Sequence, residues 1–383
     1  MFETLAKIYR LYYNVCIIKK RETKAPMEIE KIDANFAVKR EIEGEDGLCY
    51  YEIPHPAFDL YGVFYEESTK GFCRFPSAVS EKVSEGVHWL NGHTAGGRLR
   101  FSTDSSVLKL KVEYCALGIM SHMTLLGQGG FVLLEETEYG RKLVTIFPPA
   151  AVSEKGFEGT VQLLGGKMRE YILYFPLYNP VGRLQIGLDK SAKVEGGKHY
   201  KRVAPILYYG SSITQGGCAS RPDNCYQAFI EKWNNVDFIN LGFSGSAKGE
   251  DVMVDYLASI DCSLFVCDYD HNAPSVEHLK NTHYRLYERY RNVRKDTPIL
   301  FITKPDFHRD PNGKLREDVI RSTYQKAKKQ GDNNVYFIAG KTFFDKALRD
   351  NCTVDGCHPN DLGFYKMAKK IYEKMQEIDP IFR

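Results

Sequence analysis

The stretch "PILYYGSSITQGG", residues 205–217, opens as a continuous apolar run and then breaks into glycine, two adjacent serines and more glycine. An uninterrupted apolar run marks a strand buried on both faces, as in a parallel sheet covered by helices. Toward the C-terminus the pattern recurs in "VDFINL" (236–241), "SLFVCDYD" (263–270), "TPILFITKP" (297–305) and "NVYFIAG" (334–340). Helices are expected between these runs, around 224–233, 250–260, 275–294 and 314–330. A last helix is expected over 361–378, where Phe364, Ala368, Ile371 and Met375 recur at helical spacing and Asn360 or Asp361 can cap. Five strand–helix units predict a three-layer α/β/α domain, flavodoxin-like in its winding.

Toward the N-terminus the texture changes. In "SVLKLKVEY" (106–114), Val107, Lys109, Lys111 and Glu113 alternate with Leu108, Leu110, Val112 and Tyr114, the period-two pattern of a strand. The stretches "GGRLRFSTD" (96–104), "KLVTIFPPA" (142–150), "GTVQLLGG" (159–166) and "REYILYFPLYN" (169–179) are similar, and no helix is expected among them. Many short strands with turn signals predict a β-sandwich or jelly roll. The resulting division is an N-terminal extension (1–30), an all-β domain (31–198) and an α/β domain (199–383), with "GGK" at 196–198 as the linker.

The 52 Lys+Arg and 49 Asp+Glu leave a net charge of only +3, with no long basic run, so nucleic acid is not an expected partner. The longest uncharged run of the N-terminal extension, Leu11–Ile18, is too short to span a membrane, and no membrane partner is expected. The 25 tyrosines and 22 phenylalanines suit sugar binding but are read first as core. The ten cysteines contain no CxxC pair, so structural zinc spacing is absent. Nothing forces them to pair. The expected compartment is therefore the reducing cytoplasm, with a secreted or periplasmic location as the alternative.

In an open parallel sheet, functional groups gather beyond the carboxyl ends of the strands. Gly210-Ser211-Ser212-Ile213-Thr214 follows the first strand and Asn240-Leu241-Gly242-Phe243-Ser244-Gly245 the second. Asp270-His271-Asn272 follows the third, and Asp355-Gly356-Cys357-His358-Pro359 precedes the last helix. Each has a plain alternative: serines cap helices, glycines make turns, and Asp-x-x-His can be a capping arrangement. Together, along one edge and in this order, they resemble the blocks of the SGNH (GDSL-type) hydrolases over most of residues 204–378. The resemblance implies Ser212 as nucleophile, with Ser211 in place of the usual aspartate. It also implies Asp355 and His358 as triad partners, and Ser212, Gly245 and Asn272 as the oxyanion hole. The third block departs from Gly-x-Asn-Asp at two of four positions. "AFDLYG" (57–62) resembles the Gly-x-Asp-Leu-Tyr signature of a β-rich domain that precedes some members, with Ala57 in the glycine's place.

These groups suit acyl transfer. A neutral serine needs a base within hydrogen-bond reach, which His358 supplies; Asp355 holds the other ring nitrogen, and amide donors stabilise the oxyanion. No metal or cofactor is required. The resemblance implies an esterase acting on short acyl groups, acetyl foremost, of a carbohydrate or a small-molecule ester. The alternatives are a lipase with a longer acyl chain, or a decayed hydrolase that only binds carbohydrate. A metal cluster of Asp270, His271 and His278 lacks a further ligand. Cys357 as a nucleophile would rarely align with His358 on the same loop.

Overall fold

The computed structural model describes residues 41–150 and 155–382; the whole of the extension expected over 1–30 lies outside them. The α/β half forms a five-stranded parallel sheet: β1 (Arg202–Gly210), β2 (Val236–Gly242), β3 (Leu264–Asp268), β4 (Ile299–Ile302) and β5 (Val335–Ile338), in the order β2-β1-β3-β4-β5. All of its pairings are parallel, and the chain reverses its direction of winding at β1. A cleft opens at such a reversal, beyond the carboxyl ends of the strands. The helices Tyr226–Asn234 and Asp361–Ile378 cover one face. Asp251–Ser259, Val276–Val293 and Gly313–Lys329 cover the other. Successive residues of β1 serve opposite faces, Ile206 and Tyr208 on one, Leu207 and Tyr209 on the other, which is why the run is apolar throughout. Asn360 caps the last helix, its side chain accepting from the Gly363 N–H at 3.1 Å.

The N-terminal half is a sandwich of two antiparallel sheets. One holds Glu41–Glu43, Leu48–Glu52, Val181–Asp189, Val107–Tyr114 and Gly156–Gln162; the other Val194–Gly196, Arg98–Thr103, Arg169–Tyr174, Phe131–Thr137 and Gly140–Phe147, with Asp59–Tyr61 also paired to Arg98–Thr103. Leu99, Phe101, Leu108, Leu110, Leu133, Leu173 and Ile186 fill the space between them. The stretch expected as a linker begins inside this sheet, since Gly196 pairs with Phe101.

Helices do interrupt the β region, contrary to the sequence expectation: Ser77–Val83, Glu85–Asn91 and Leu125–Gly129. Val79, Val83, Val87 and Leu90 do follow a helical period. Ser84 breaks it by ending one helix and capping the next, accepting from Val87 N–H at 3.2 Å. Their apolar side packs on the α/β half, where Val79, Val87 and Leu90 join Leu241 and Met253.

The second sheet of the sandwich is buried on both faces. Val132, Leu134, Ile172 and Tyr174 join the same core as Ile206 and Tyr208. Arg98 and Arg100 alternate with Leu99 and Phe101 as a solvent face would, yet both are buried between the halves. Arg98 pairs with Asp237 at 2.5 Å and stacks on Phe238, and Arg100 donates to Asn235 and Glu136. Arg141 grips Glu231 with both terminal nitrogens, one at 2.6 Å, and Tyr174 donates to the same carboxylate. Burial alone would raise the Glu231 carboxyl; Arg141 beside it outweighs this and holds it at about 2. Removing one member of a buried pair leaves an uncompensated charge, at a cost of about 3–5 kcal/mol. Arg141→Met is expected to lose that much in denaturant titration, and Arg141→Met/Glu231→Leu to recover most of it.

Candidate active site

Three loops are laced together at the carboxyl edge of the sheet. Gly210 O, at the end of β1, accepts from Phe243 N–H at 2.8 Å, and Ser211 N–H donates to Asp268 O at 3.2 Å. The two serines divide the work. The Ser211 hydroxyl accepts from Ile213 N–H at 3.2 Å and so caps the short helix Ser212–Gln215. The Ser212 side chain, first in that helix, faces His358, with Oγ 2.9 Å from Nε2.

His358 is held in turn. Its Nδ1 lies 2.7 Å from Asp355 Oδ2. Asp355 Oδ1 accepts the backbone N–H groups of Cys357 at 2.9 Å and His358 at 2.8 Å, an Asx-type turn completed by Gly356 at φ +87°. Burial pushes the Asp355 carboxyl up, but the hydrogen bonds from His358 and Cys357 outweigh it and hold the group at about 2. An ionised Asp355 can only accept, so Nδ1 carries the proton and Nε2 is left to accept from Ser212. A hydroxyl in that position can be deprotonated as it attacks a carbonyl.

Of the two remaining predicted site residues, Asn272 is tied to the loop that carries Gly245: its amide donates to Phe243 O at 2.7 Å. Gly245 has φ +67°, a conformation that favours glycine. The backbone N–H groups of Ser212 and Gly245 make no hydrogen bond to any described residue.

Several neighbours were invisible in the sequence because they come from the sandwich. Tyr178 donates to Ser212 O at 3.2 Å, and the His122 ring lies 5.9 Å from that of His358. Gly217 is required here, since a Cβ would stand 2.8 Å from Tyr178 Oη and 3.0 Å from Ser212 O. Trp89 packs edge-on to His93 at 5.8 Å, and His93 contacts Tyr178. A Cβ at Gly86, on the helix that bears Trp89, would meet Ser246 Oγ, which places that helix against the Gly245 loop.

The suggested trio of Asp270, His271 and His278 is not brought together. Asp270 is held by Arg316 and by Lys304 N–H, and His278 by Lys248 O. His271 instead meets Asp306 and Cys357. Burial, with Asp306 and Asp355 adding to it, pushes the Cys357 thiol up to about 12; burial and Asp355 do the same to Cys218. Neither thiol is a ready nucleophile at neutral pH.

The hydrogen bonds to Asp355 stabilise its ionised form. Their contribution is therefore present above about 3.9, where the unfolded carboxyl titrates, and is lost as pH falls through about 2. Carboxyl carbon shifts of Asp355, followed by NMR from pH 7 downward, are expected to keep the ionised position past pH 3. A midpoint near 3.9 would show the bonds to be absent in solution.

Residues 203–376 match the model of the GDSL-like lipase/acylhydrolase family, and residues 48–194 match that of the GxDLY domain, the N-terminus of SGNH-hydrolase-type esterases. Among solved structures, the chain is similar to a Bacteroides ovatus protein described as a GDSL-like lipase. The two share 28% identity at a TM-score of 0.78, over 86% of this chain and 98% of that one. It shares 16% identity, at a TM-score of 0.72, with the salicylyl-acyltransferase SsfX3 of a tetracycline biosynthetic pathway, over 89% and 98% of the chains. It shares 13%, at 0.57, with an acetyl xylan esterase of Butyrivibrio proteoclasticus, over 88% and 100%. No curated protein matches. Residues 203–376 thus carry the GDSL-like lipase/acylhydrolase match and residues 48–194 the GxDLY match, the pairing of an SGNH-type ester hydrolase, and the fold is shared with the Bacteroides ovatus protein over 86% of this chain.

Proposed function

We propose that this protein is a serine esterase that removes short acyl groups, acetyl foremost, from a carbohydrate. The observation that carries the reading is the pair of hydrogen bonds in series, Ser212 to His358 at 2.9 Å and His358 to Asp355 at 2.7 Å. Ser212 Oγ attacks the ester carbonyl while His358 Nε2 takes its proton. The imidazolium, steadied by Asp355, then protonates the departing alcohol oxygen as the carbonyl–oxygen bond breaks. Water, activated by the same ring, hydrolyses the acyl-serine and restores the hydroxyl. The N–H groups of Ser212 and Gly245 and the amide of Asn272 are the oxyanion donors; one such donor contributes about 10²–10³ in rate.

Two things support a carbohydrate as the alcohol. One is the similarity to the acetyl xylan esterase. The other is Trp89, 60% exposed on the helix beside the Gly245 loop, an aromatic face open to a sugar ring.

Hydrolysis of p-nitrophenyl acetate, butyrate and octanoate, compared in wild type and Ser212→Ala, tests the mechanism. Acetate is expected to be preferred, and the variant to lose about 10⁴–10⁶ in kcat. Preference for octanoate would favour a lipase; an unimpaired variant would remove Ser212 from the mechanism. For acetylated xylo-oligosaccharides, Trp89→Ala is expected to raise KM five- to tenfold, matching about 1–1.4 kcal/mol of lost stacking. An unchanged KM would show that the sugar does not lie on Trp89.

A further inference from the structure

A second cluster of metal-ligating side chains stands beside the Ser212 relay, one from each of three loops at the carboxyl edge. His271 follows β3, Asp306 follows β4, and Cys357 lies between Asp355 and His358. His271 Nε2 is 2.7 Å from Asp306 Oδ1 and 3.7 Å from Cys357 Sγ. One ligand atom from each residue lies within 4.8 Å of the other two. The second oxygen of Asp306 is 3.5 Å from Lys304 Nζ, which also donates to Asp310 at 2.9 Å.

Imidazole nitrogen, thiolate sulfur and carboxylate oxygen form a donor set typical of zinc. With Zn–S about 2.3 Å and Zn–N about 2.0–2.1 Å, a tetrahedral site separates sulfur and nitrogen by about 3.6 Å. The separation here is 3.7 Å. The nitrogen–oxygen edge of such a site is about 3.4 Å, so the His271–Asp306 contact must open by about 0.7 Å. That movement exchanges one hydrogen bond for two metal bonds. Lys304 would remain on the far oxygen and orient the carboxylate, as outer partners of metal ligands do.

We propose that His271, Asp306 and Cys357 bind a thiophilic divalent cation, Zn²⁺ foremost, with a fourth position left for water. On binding, Cys357 Sγ gives its proton to solvent and forms the metal–sulfur bond, with no change of oxidation state. Cys357 is the immediate neighbour of His358, and His271 of Asn272. The ion therefore ties the loop bearing the Asp355–His358 pair to the loop bearing Asn272. A rival set, His122, Cys218 and His358, has the same compactness, but it uses the exposed His122 and the ring that faces Ser212.

Metal-free full-length protein titrated with Co²⁺, then with Zn²⁺ in competition, tests this without reference to turnover, so its outcome is independent of the esterase reading. One equivalent of Co²⁺ is expected, with a thiolate-to-cobalt charge-transfer band that Zn²⁺ abolishes. His271→Ala and the isosteric Asp306→Asn are each expected to weaken Zn²⁺ binding at least tenfold, and Cys218→Ala to leave it unchanged. Losing even an outer partner costs about 10–100-fold. Absence of the thiolate band overturns the proposal. So does binding indifferent to His271→Ala and Asp306→Asn, and loss with Cys218→Ala would move the ion to the rival set.

Discussion

Two buried guanidinium–carboxylate pairs, Arg98 with Asp237 and Arg141 with Glu231, fix how the sandwich sits on the parallel sheet. Apolar contact between Val132, Ile172 and Tyr174 on one side and Ile206 and Tyr208 on the other supplies non-directional attraction. It would tolerate a sliding interface. A buried ion pair does not, because its desolvation is offset only when the geometry is met. Arg74 adds a third constraint: its guanidinium donates to Asn240 O at 3.2 Å and Gly242 O at 2.5 Å, at the end of β2. That is the strand end from which the Gly245 loop departs, so the docking of the sandwich reaches the candidate site directly.

The site itself divides into what the sheet holds rigid and what the sandwich adds. The edge of the sheet supplies Ser212, Asn272 and the Asp355–His358 pair, each at a strand end or in a turn tied by backbone bonds. The sandwich contributes Tyr178 beneath the Ser212 turn and His122 beside the imidazole. Putting chemistry on loops anchored by a packed scaffold is the usual solution, since loops tolerate variation that strands do not. The two-domain arrangement lets one sheet edge carry the reacting groups while a different chain segment shapes the approach.

Much was legible from short-range pattern. The apolar runs of β1–β5 announced strands covered on both faces, and the capped periodicity of 361–378 announced its helix to the residue. Alternation in 106–114 gave the buried set Leu108, Leu110, Val112 and Tyr114. Where reading failed, a local signal served a distant purpose. The helices over 77–91 hid because Ser84 cuts their period in two. Nothing in the alternation of Arg98 and Arg100 with Leu99 and Phe101 announces the domain that covers them, because charge at every second position is equally the pattern of a solvent face.

The sequence by itself determined the element types of the α/β half, its parallel sheet, the edge on which functional groups collect, and the spelling that singles out Ser212, Asp355 and His358. These follow from interactions within a few residues: side-chain period, capping and turn chemistry. The tertiary structure alone decided which residues meet across the chain. His271 and Cys357 are 86 positions apart, and Arg98 and Asp237 139. No local pattern encodes such pairs, because contact at that separation is a product of sheet order and domain docking.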